Sequence, residues 1–392
     1  MSRPAQTTPP LGTLEPSMTL GITSKAKQMI RDGQDVANMC AGEPDFDTPE
    51  HIKRAAADAL EQGETKYTPV PGRVDLREAI AEKLQTDNHL NVDPDNVVVA
   101  PGAKYSVFEA VVTTCGPGDQ VLIPAPYWLS YPQMVTAAGA ETVVVPTTAE
   151  NEYCVTREAL EAAVTTQTRL LILNSPGNPS GAVYKREQLA DIAAFAVEHD
   201  ILVLADEIYE MLVYDREYRH VSIGSLNDDI ASRTITVNGF SKAYAMTGWR
   251  LGYSASPGWV AKRIKALQSH TTSNPTSFAQ AGALAALRAP QDCVYSMRDT
   301  FAERRQRIHQ LLSDIPGLDV FCPHGAFYIF PDIGAYGLDS MTFAERALNE
   351  TQTAVVPGLP FGADTCIRLS YACSTETIDK ACERLAGFCA NL

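Results

Sequence analysis

Short apolar runs alternate with helical patterns along the first two thirds of the chain. Most residues of each run are apolar, whereas the segments between runs place apolar residues three or four positions apart. Continuous apolar strands are typical of a sheet that is buried on both faces, and helices are the usual crossovers between parallel strands. The pattern therefore predicts an α/β fold with a mainly parallel sheet covered by helices on both faces. The predicted strands are Val97–Ala100, Gln120–Ile123, Thr142–Val145, Arg169–Leu173, Ile201–Ala205 and Thr234–Val237.

Helix signals lie before and between these strands. Thr48 can cap a helix and Pro49 suits its first turn, so a helix is predicted from His51 to Leu60, with Gly63 as its stop signal. The other predicted helices of this part are Leu76–Leu84, Lys104–Cys115, Arg157–Val164, Arg186–His199 and Pro257–Gln268.

The last hundred residues have a different pattern, with short strands between two long helical stretches, as in an α+β unit. The first dozen residues are rich in Pro and Thr and are expected to form an extended arm. We therefore expect an N-terminal arm with part of the small domain in residues 1–47, a large domain in 48–285 and a small C-terminal domain in 286–392. The predicted elements of the last part are helix Asp299–Leu312, strands Ala326–Phe330, Thr353–Val356 and Ile367–Leu369, and helix Thr377–Phe388.

Composition narrows the class of protein. The chain has 47 acidic and 32 basic residues, a formal charge of −15, which would repel a nucleic-acid backbone. Its nine cysteines form no CxxC pair and no Cys/His cluster, so we expect reduced thiols and no metal. The N-terminus lacks the apolar region of a signal peptide, and no run approaches the ~18 apolar residues of a membrane helix. A cytoplasmic protein without a membrane or nucleic-acid partner is expected.

Chemically useful side chains follow two of the predicted strands, where ligands gather in open α/β sheets. Asp206 could hold a protonated ring nitrogen, and Tyr209 could donate to a neighbouring oxygen. A helix cap and a packed ring explain these two residues equally well. Lys242, beside Ser241, could be a desolvated amine suited to Schiff-base chemistry, or a solvated surface lysine. Arg250 could clamp a phosphate bidentately.

Three further segments suggest a site for an anion. VVVAPGAKYSVFEAV predicts a strand, a turn and a helix, an arrangement that points free N–H groups at an anion. In LILNSPGNPSG, prolines on both sides of Asn178 stiffen a turn at the sheet edge. Arg368 lies inside an apolar strand, where an unpaired guanidinium is costly, so we expect a carboxylate partner from the protein or from a ligand.

Together these segments resemble the class I aminotransferases of fold type I, which use pyridoxal 5′-phosphate. The resemblance runs from about Leu14 to about Leu385. It implies a ping-pong transamination between an L-amino acid and a 2-oxo acid in a homodimer with shared active sites. The motifs that carry it, in the family's order and spacing, are AGEPDFDTP, KYTPVPG, PYWLSYP, NSPGNPSG, ADEIY, NGFSKAYAMTGWRLGY and RLSYA.

The resemblance also implies a role for each matching residue. Lys242 would be the Schiff-base lysine, Asp206 the partner of the pyridine nitrogen, and Trp128 the ring that stacks on the cofactor. Tyr209 and Asn178 would donate to its phenolic oxygen. The phosphate would be bound by backbone N–H groups of Ala103 and Lys104, by Ser241 and Arg250, and by Tyr67 of the neighbouring subunit. The substrate α-carboxylate would be bound by Arg368, the backbone at Gly42 and Asn178.

Particular positions of the sequence narrow the choice of substrate. One branch of the family binds a distal carboxylate through an Arg that residues 265–278 lack here, whereas Lys104 matches the lysine that bacterial aspartate aminotransferases of the other branch use. A helix-surface role for Lys104 is the alternative. Relatives that accept prephenate carry a Lys at the position of Glu15, so this chain departs from their pattern. We therefore expect L-aspartate and 2-oxoglutarate as substrates.

Other functions remain open at this point. Prephenate or an aromatic or neutral amino acid could be the substrate, and the same fold also serves pyridoxal-phosphate lyases. A noncatalytic regulator built on this module would need a basic DNA-binding extension, for which this acidic chain has no room.

Overall fold

The computed structural model describes residues 14, 19–215 and 217–392. Its helices are α1 (Thr19–Arg31), α2 (Glu50–Glu61), α3 (Val74–Asn88), α4 (Ala103–Thr114), α5 (Ser130–Ala138), α6 (Arg157–Ala163), α7 (Arg186–Glu198), α8 (Asp228–Ala231), α9 (Gly258–His270), α10 (Ser277–Arg288), α11 (Asp292–Ser313), α12 (Ser340–Thr351) and α13 (Thr375–Cys389). Its strands are β1 (Ala37–Asn38), β2 (Val97–Ala100), β3 (Gln120–Ala125), β4 (Glu141–Pro146), β5 (Thr168–Asn174), β6 (Leu202–Asp206), β7 (Thr234–Gly239), β8 (Gly252–Ala255), β9 (Tyr328–Ile329), β10 (Thr353–Ala354), β11 (Val356–Pro357) and β12 (Ile367–Ser370).

A seven-stranded sheet forms the centre of the large unit, with the order β2-β8-β7-β6-β5-β3-β4. The pairs from β4 to β7 are all parallel, as predicted, whereas β8 runs antiparallel to both β7 and β2. The sequence pattern did not predict β8, because its residues GYSA are not an apolar run. Gly252 lets this strand approach α4, since a Cβ there would lie 2.2 Å from the backbone nitrogen of Ala103.

The sheet is covered on both faces. In β3, Val121 and Ile123 belong to the same buried cluster as Val107 of α4, whereas Leu122 belongs to a second cluster with Phe195 of α7. Successive side chains of a strand point to opposite faces, so the apolar run predicted for this strand fills two helical layers. The α/β architecture is therefore confirmed. No helix of the described residues is long and apolar enough to span a membrane.

Five helices of the described residues were not predicted, namely α1, α5, α8, α10 and α12. In α10 the sequence is rich in Ala, and small residues give a weak apolar period although they pack closely. A Cβ at Gly282 would lie 3.2 Å from the backbone oxygen of Ile52, so α10 and α2 approach closely there. The predicted domain boundary at residue 285 falls inside α10, which also packs on α3. Helix α11 begins at Asp292, before the predicted start at Asp299.

A smaller unit is built from the C-terminal residues and the segment before α2. Its antiparallel sheet has the order β11-β12-β9, and β1 pairs in parallel with β10. The backbone N–H of Ser370 also donates to the oxygen of Met39 at 2.8 Å. These contacts support the proposal that the N-terminal segment contributes to the small domain. The predicted arm and Glu15 lie outside the described residues.

Candidate active site

A cavity of about 530 Å³ opens at the carboxyl ends of β5 and β6, between the large and small units. Tyr67 does not line it and lies in the loop between α2 and α3, 88% exposed. The other site residues predicted from the sequence all line this cavity: Gly42, Ala103, Lys104, Trp128, Asn178, Asp206, Tyr209, Ser241, Lys242, Arg250 and Arg368.

Lys242 follows β7 and points its amine into the cavity. Burial lowers the pKa of this amine to about 8, and the neighbouring carboxylate of Glu43 opposes that effect. Its Nζ donates a hydrogen bond of 2.6 Å to the backbone oxygen of Gly42 and lies 5.8 Å from the ring centre of Tyr209. A lysine of lowered pKa has a larger neutral fraction at physiological pH, as a nucleophile or general base requires.

Asp206 ends β6 and is 4% exposed. Burial raises the pKa of its carboxyl to about 6, and hydrogen bonds to the ionised form oppose this effect. The hydroxyl of Tyr131 donates to Oδ2 at 2.7 Å, and the N–H of Ile208 donates to Oδ1 at 3.3 Å. A carboxylate held in this way can accept a further hydrogen bond, or a proton, from a group bound in the cavity.

Arg368 lies on β12 without a protein carboxylate among the described residues. Its Nη1 donates to Oδ1 of Asn178 at 3.0 Å, and its Nη2 donates to the oxygen of Cys40 at 3.3 Å. Its Nε is buried and has no partner in the described part of the chain. The rings of Tyr328 and Phe361 lie 4.4 and 5.1 Å from the guanidinium carbon. A buried cation in this state is suited to a carboxylate ligand.

A second set of donors surrounds the start of α4. Gly102 has a φ of 96°, and a Cβ there would lie 2.4 Å from Nη2 of Arg250, so only glycine leaves room for this guanidinium. Nη1 of Arg250 donates to the oxygen of Thr247 at 2.8 Å. The first N–H groups of a helix have no partner within it, and Ser241 lines the same cavity. This arrangement is suited to a phosphate group.

Lys104 supplies another cation on the first turn of α4. Burial lowers the pKa of its amine, and the positive charge of Arg250 lowers it further. Its Nζ lies 4.8 Å from the ring centre of Trp128. The cavity therefore contains positive side chains from both α4 and β12, as binding of a molecule with two carboxylates requires.

The residues of this cavity that sequence reasoning did not assign to it include Glu43, Tyr131, Thr247 and Tyr328. Tyr131 lies three positions after Trp128 within the PYWLSYP motif, a spacing that could have indicated a shared face. The hydroxyls of Tyr328 and Tyr209 are 2.9 Å apart, and Thr247 donates to Oε2 of Glu43 at 2.8 Å. These two contacts join residues far apart in the sequence, so no local pattern could predict them.

Comparisons with known proteins identify the family that this chain resembles in sequence and structure. Residues 34–385 match the family model for aminotransferase class I and II. The chain is 45% identical over 383 residues to an aspartate aminotransferase of Bacillus sp. (strain YM-2), covering 96% of this chain and 97% of that protein. It is 46% identical to a probable aspartate/prephenate aminotransferase of Aquifex aeolicus, with 95% of both chains covered. A solved Thermus thermophilus aspartate aminotransferase with maleate superimposes with a TM-score of 0.93 at 42% identity, covering 96% of this chain and 98% of that one.

Proposed function

The chain belongs to the class I and II aminotransferases, pyridoxal 5′-phosphate enzymes of fold type I that act on amino acids and 2-oxo acids, and from that premise we propose that it transfers the amino group of L-aspartate to 2-oxoglutarate. The products are oxaloacetate and L-glutamate. The observation that carries the choice of aspartate is the position of Lys104 in the same cavity as Arg368, with no protein carboxylate bonded to either cation within the described ranges.

The donors of the cavity fit pyridoxal 5′-phosphate. The space that Gly102 leaves for Arg250 forms a cradle for the phosphate, together with the start of α4 and the hydroxyl of Ser241. When bound, this cofactor supplies an electron sink for the carbanion that forms at the substrate Cα. The residues that would hold its ring are Asp206 at the pyridine nitrogen, Tyr209 and Asn178 at the phenolic oxygen, Trp128 at the ring face and Lys242 at the aldehyde carbon.

Lys242 is the residue of this chain that would move the proton. Burial lowers the pKa of its amine to about 8, so a useful fraction is neutral near physiological pH and can accept a proton at Nζ. The backbone oxygen of Gly42 accepts a hydrogen bond from Nζ and so restricts the position of the amine. A proton taken from the substrate Cα can then be returned at a neighbouring carbon.

Two cations would orient the substrate. Arg368 would bind the α-carboxylate through its guanidinium, whose Nε is unpaired, while the side chain of Asn178 holds Nη1 in place. Lys104 would bind the distal carboxylate. The names of the Bacillus and Thermus relatives support aspartate as the donor, and the Thermus enzyme was solved with maleate, which is also a dicarboxylate.

A panel of amino donors assayed with the purified holoenzyme and 2-oxoglutarate tests this proposal. We expect kcat/KM for aspartate and glutamate to exceed that for alanine and phenylalanine by about tenfold or more, as one charge-assisted hydrogen bond allows. Equal values for acidic and neutral donors would contradict it. Turnover that needs no 2-oxo acid would indicate a lyase instead.

Prephenate is a second candidate acceptor, because the Aquifex relative is named a probable aspartate/prephenate aminotransferase. Its ring carboxylate also needs a cation, and Glu15, if it faces the site, would repel it. An assay with glutamate as the donor and prephenate or oxaloacetate as the acceptor tests this candidate. Turnover equal to that with oxaloacetate would show that Glu15 points away or that another residue supplies the charge.

We also propose a homodimer with shared sites. The exposure of Tyr67 supports this arrangement, because 88% of a tyrosine surface is available to a partner. The cytoplasmic location expected from the sequence stays a prediction that cell fractionation would test.

A further inference from the structure

The turn that follows β6 has two faces. Asp206 and Tyr209 line the cavity. Glu207 and Glu210, which follow them directly in the sequence, lie outside the cavity and contact α3. Glu207 is 3% exposed and the side chain of Glu210 is 8% exposed. Burying two carboxylates one residue away from two site residues is costly unless they are fully paired.

Glu207 is paired by three donors. Its Oε2 accepts hydrogen bonds from Oγ of Ser222 at 2.6 Å, from Nε2 of His220 at 3.1 Å and from Nδ2 of Asn88 at 3.3 Å. Asn88 is the last residue of α3, and His220 and Ser222 lie in the segment that precedes α8. The Glu207 side chain is therefore fixed from two directions.

Glu210 is paired through the same helix. Its Oε1 accepts from Nζ of Lys83, and its Oε2 accepts from Nδ2 of Asn88 at 2.6 Å. Lys83 also donates to Oδ1 of Asn88 at 2.6 Å. Burial alone would raise the pKa of Glu210, but Lys83 and then His220 hold it below its ordinary value. Asn88 thus connects both carboxylates to one end of α3.

Both carboxylates of this group are paired with protein side chains. Ligand atoms of Glu207, Glu210 and His220 lie within 4.8 Å of one another, a spacing that could suit a cation. The ammonium of Lys83 already contacts Glu210 and supplies positive charge there. Burial alone would lower the pKa of His220, but Glu207 and then Glu210 raise it above its ordinary value, which favours the imidazolium. The two carboxylates, the ammonium of Lys83 and the imidazole of His220 therefore form one buried network.

We propose that this network is a clamp that positions Asp206 and Tyr209 for the reaction. The clamp consists of Lys83, Asn88, Glu207, Glu210, His220 and Ser222. The proposal rests on the proposed function, because it concerns residues assigned to the cofactor. None of the clamp residues lines the cavity, so they act through the turn.

The backbone of the turn shows how the clamp would act. The N–H of Glu207 donates to the oxygen of Val237 on β7 at 2.9 Å, and the N–H of Glu210 donates to the oxygen of Glu207, also at 2.9 Å. These bonds fix the start and the curvature of the turn. The two clamped side chains, Glu207 and Glu210, hold its far face against α3 and so prevent the whole turn from rotating. Asp206 and Tyr209 then keep their directions into the cavity. A displacement of about 1 Å at a reacting group can cost up to ~10²-fold in rate.

A double variant separates positioning from stability. Lys83→Met with Glu210→Leu removes one anion and one cation together, and replacement of a buried ion pair by apolar residues is often neutral for stability. We expect a thermal unfolding midpoint near that of the wild type. We also expect kcat for aspartate to fall about tenfold or more, with little change in KM, as misplaced reacting groups would cause.

Two further measurements on this variant do not depend on turnover. The visible absorption of bound pyridoxal 5′-phosphate, titrated against pH, should shift relative to the wild type, because Asp206 and Tyr209 set the environment of its ring. A crystal structure of the apoprotein should show both side chains displaced. A stably folded double variant with wild-type kcat, spectrum and side-chain positions would overturn the proposal. If the double variant does not fold, Glu207→Gln, which keeps the size of the side chain, is subjected to the same measurements and judged by the same outcomes.

Arg77 provides a matched control on the same helix. It is buried, and its Nη1 donates to the oxygen of Pro94 at 2.8 Å and to Oδ1 of Asp95 at 3.0 Å, away from the cavity. Arg77→Met should lower the unfolding midpoint and leave kcat and the spectrum unchanged. Equal effects of both variants on the spectrum would show only a general loss of stability and would overturn the clamp. If the wild type fails to use aspartate but the spectral and structural shifts occur, the substrate proposal fails and the clamp stands.

Discussion

Replacing Lys104 by serine tests how the enzyme would recognise a dicarboxylate. The change removes a partly desolvated ammonium from the first turn of α4 and leaves the backbone N–H of that residue in place. No protein carboxylate pairs with this amine in the described part of the chain, so its charge is available to a ligand. A hydrogen bond to a charged group contributes about 1.5–3 kcal/mol, which corresponds to a loss of roughly 10- to 150-fold in kcat/KM for aspartate. Alanine lacks the distal carboxylate, so its kcat/KM should change little.

The assay compares the ratio of kcat/KM for aspartate to that for alanine in matched variants. Lys185→Ser is the control, because its Nζ also lies over an aromatic ring, 4.7 Å from the centre of Tyr218, but outside the cavity. The ratio should fall only in Lys104→Ser. Equal losses for both donors would show that Lys104 supports the cofactor or the fold, and would refute the assigned role.

The pH dependence of the same ratio provides a second readout. Burial, with the charge of Arg250, lowers the pKa of Lys104, so this amine loses its charge at a lower pH than an exposed lysine. The preference for aspartate should therefore decline as the pH rises through that range. Lys242 takes part in the reaction of both donors, so its own titration cancels in the ratio. In Lys104→Ser the ratio should be independent of pH, and a decline like that of the wild type would assign the effect to another group.

Three further outcomes are expected. Lys242→Ala should abolish transamination in a folded protein because no amine remains to carry the Cα proton, and substantial turnover without added amine would contradict the role of Lys242. Tyr131→Phe removes the donor to Oδ2 of Asp206 and should raise the pKa of that carboxyl above its value of about 6. When the apoenzyme is titrated with cofactor at successively lower pH, the affinity of the variant should therefore begin to fall at a higher pH than that of the wild type. Identical affinity profiles would refute this. Mixing inactive Tyr67 and Lys242 variants should regenerate some activity in heterodimers if sites are shared, and no recovery despite demonstrated subunit exchange would count against sharing.

The sequence predicted those parts of the fold that depend on local periodicity. Strands such as β2 are continuous apolar runs because both faces of the sheet are buried, and their positions were confirmed. Strand β8 was missed because its place in the sheet depends on the close approach that Gly252 allows, which only tertiary packing reveals. Its antiparallel direction likewise follows from packing between β2 and β7.

The candidate site was predicted mainly by resemblance. Individually, Asp206 and Lys242 had ordinary structural explanations, and only the ordered set of motifs favoured a cofactor site. The hydrogen bond from Tyr131 to Asp206 spans 75 positions and could not be read from spacing. For Arg368 the sequence left the source of a carboxylate open, and the described residues supply none, which favours a ligand.

The central claim, that this chain moves an amino group from aspartate by a ping-pong reaction, is tested most directly by its first half-reaction. Purified holoenzyme is mixed with L-aspartate in the absence of any 2-oxo acid, and oxaloacetate and ammonia are quantified. The account predicts about one oxaloacetate per bound cofactor and no ammonia, because the amino group stays on the enzyme until a 2-oxo acid removes it. Addition of 2-oxoglutarate should then release an equal amount of glutamate. Absence of oxaloacetate, or continued release of ammonia without an acceptor, would contradict it.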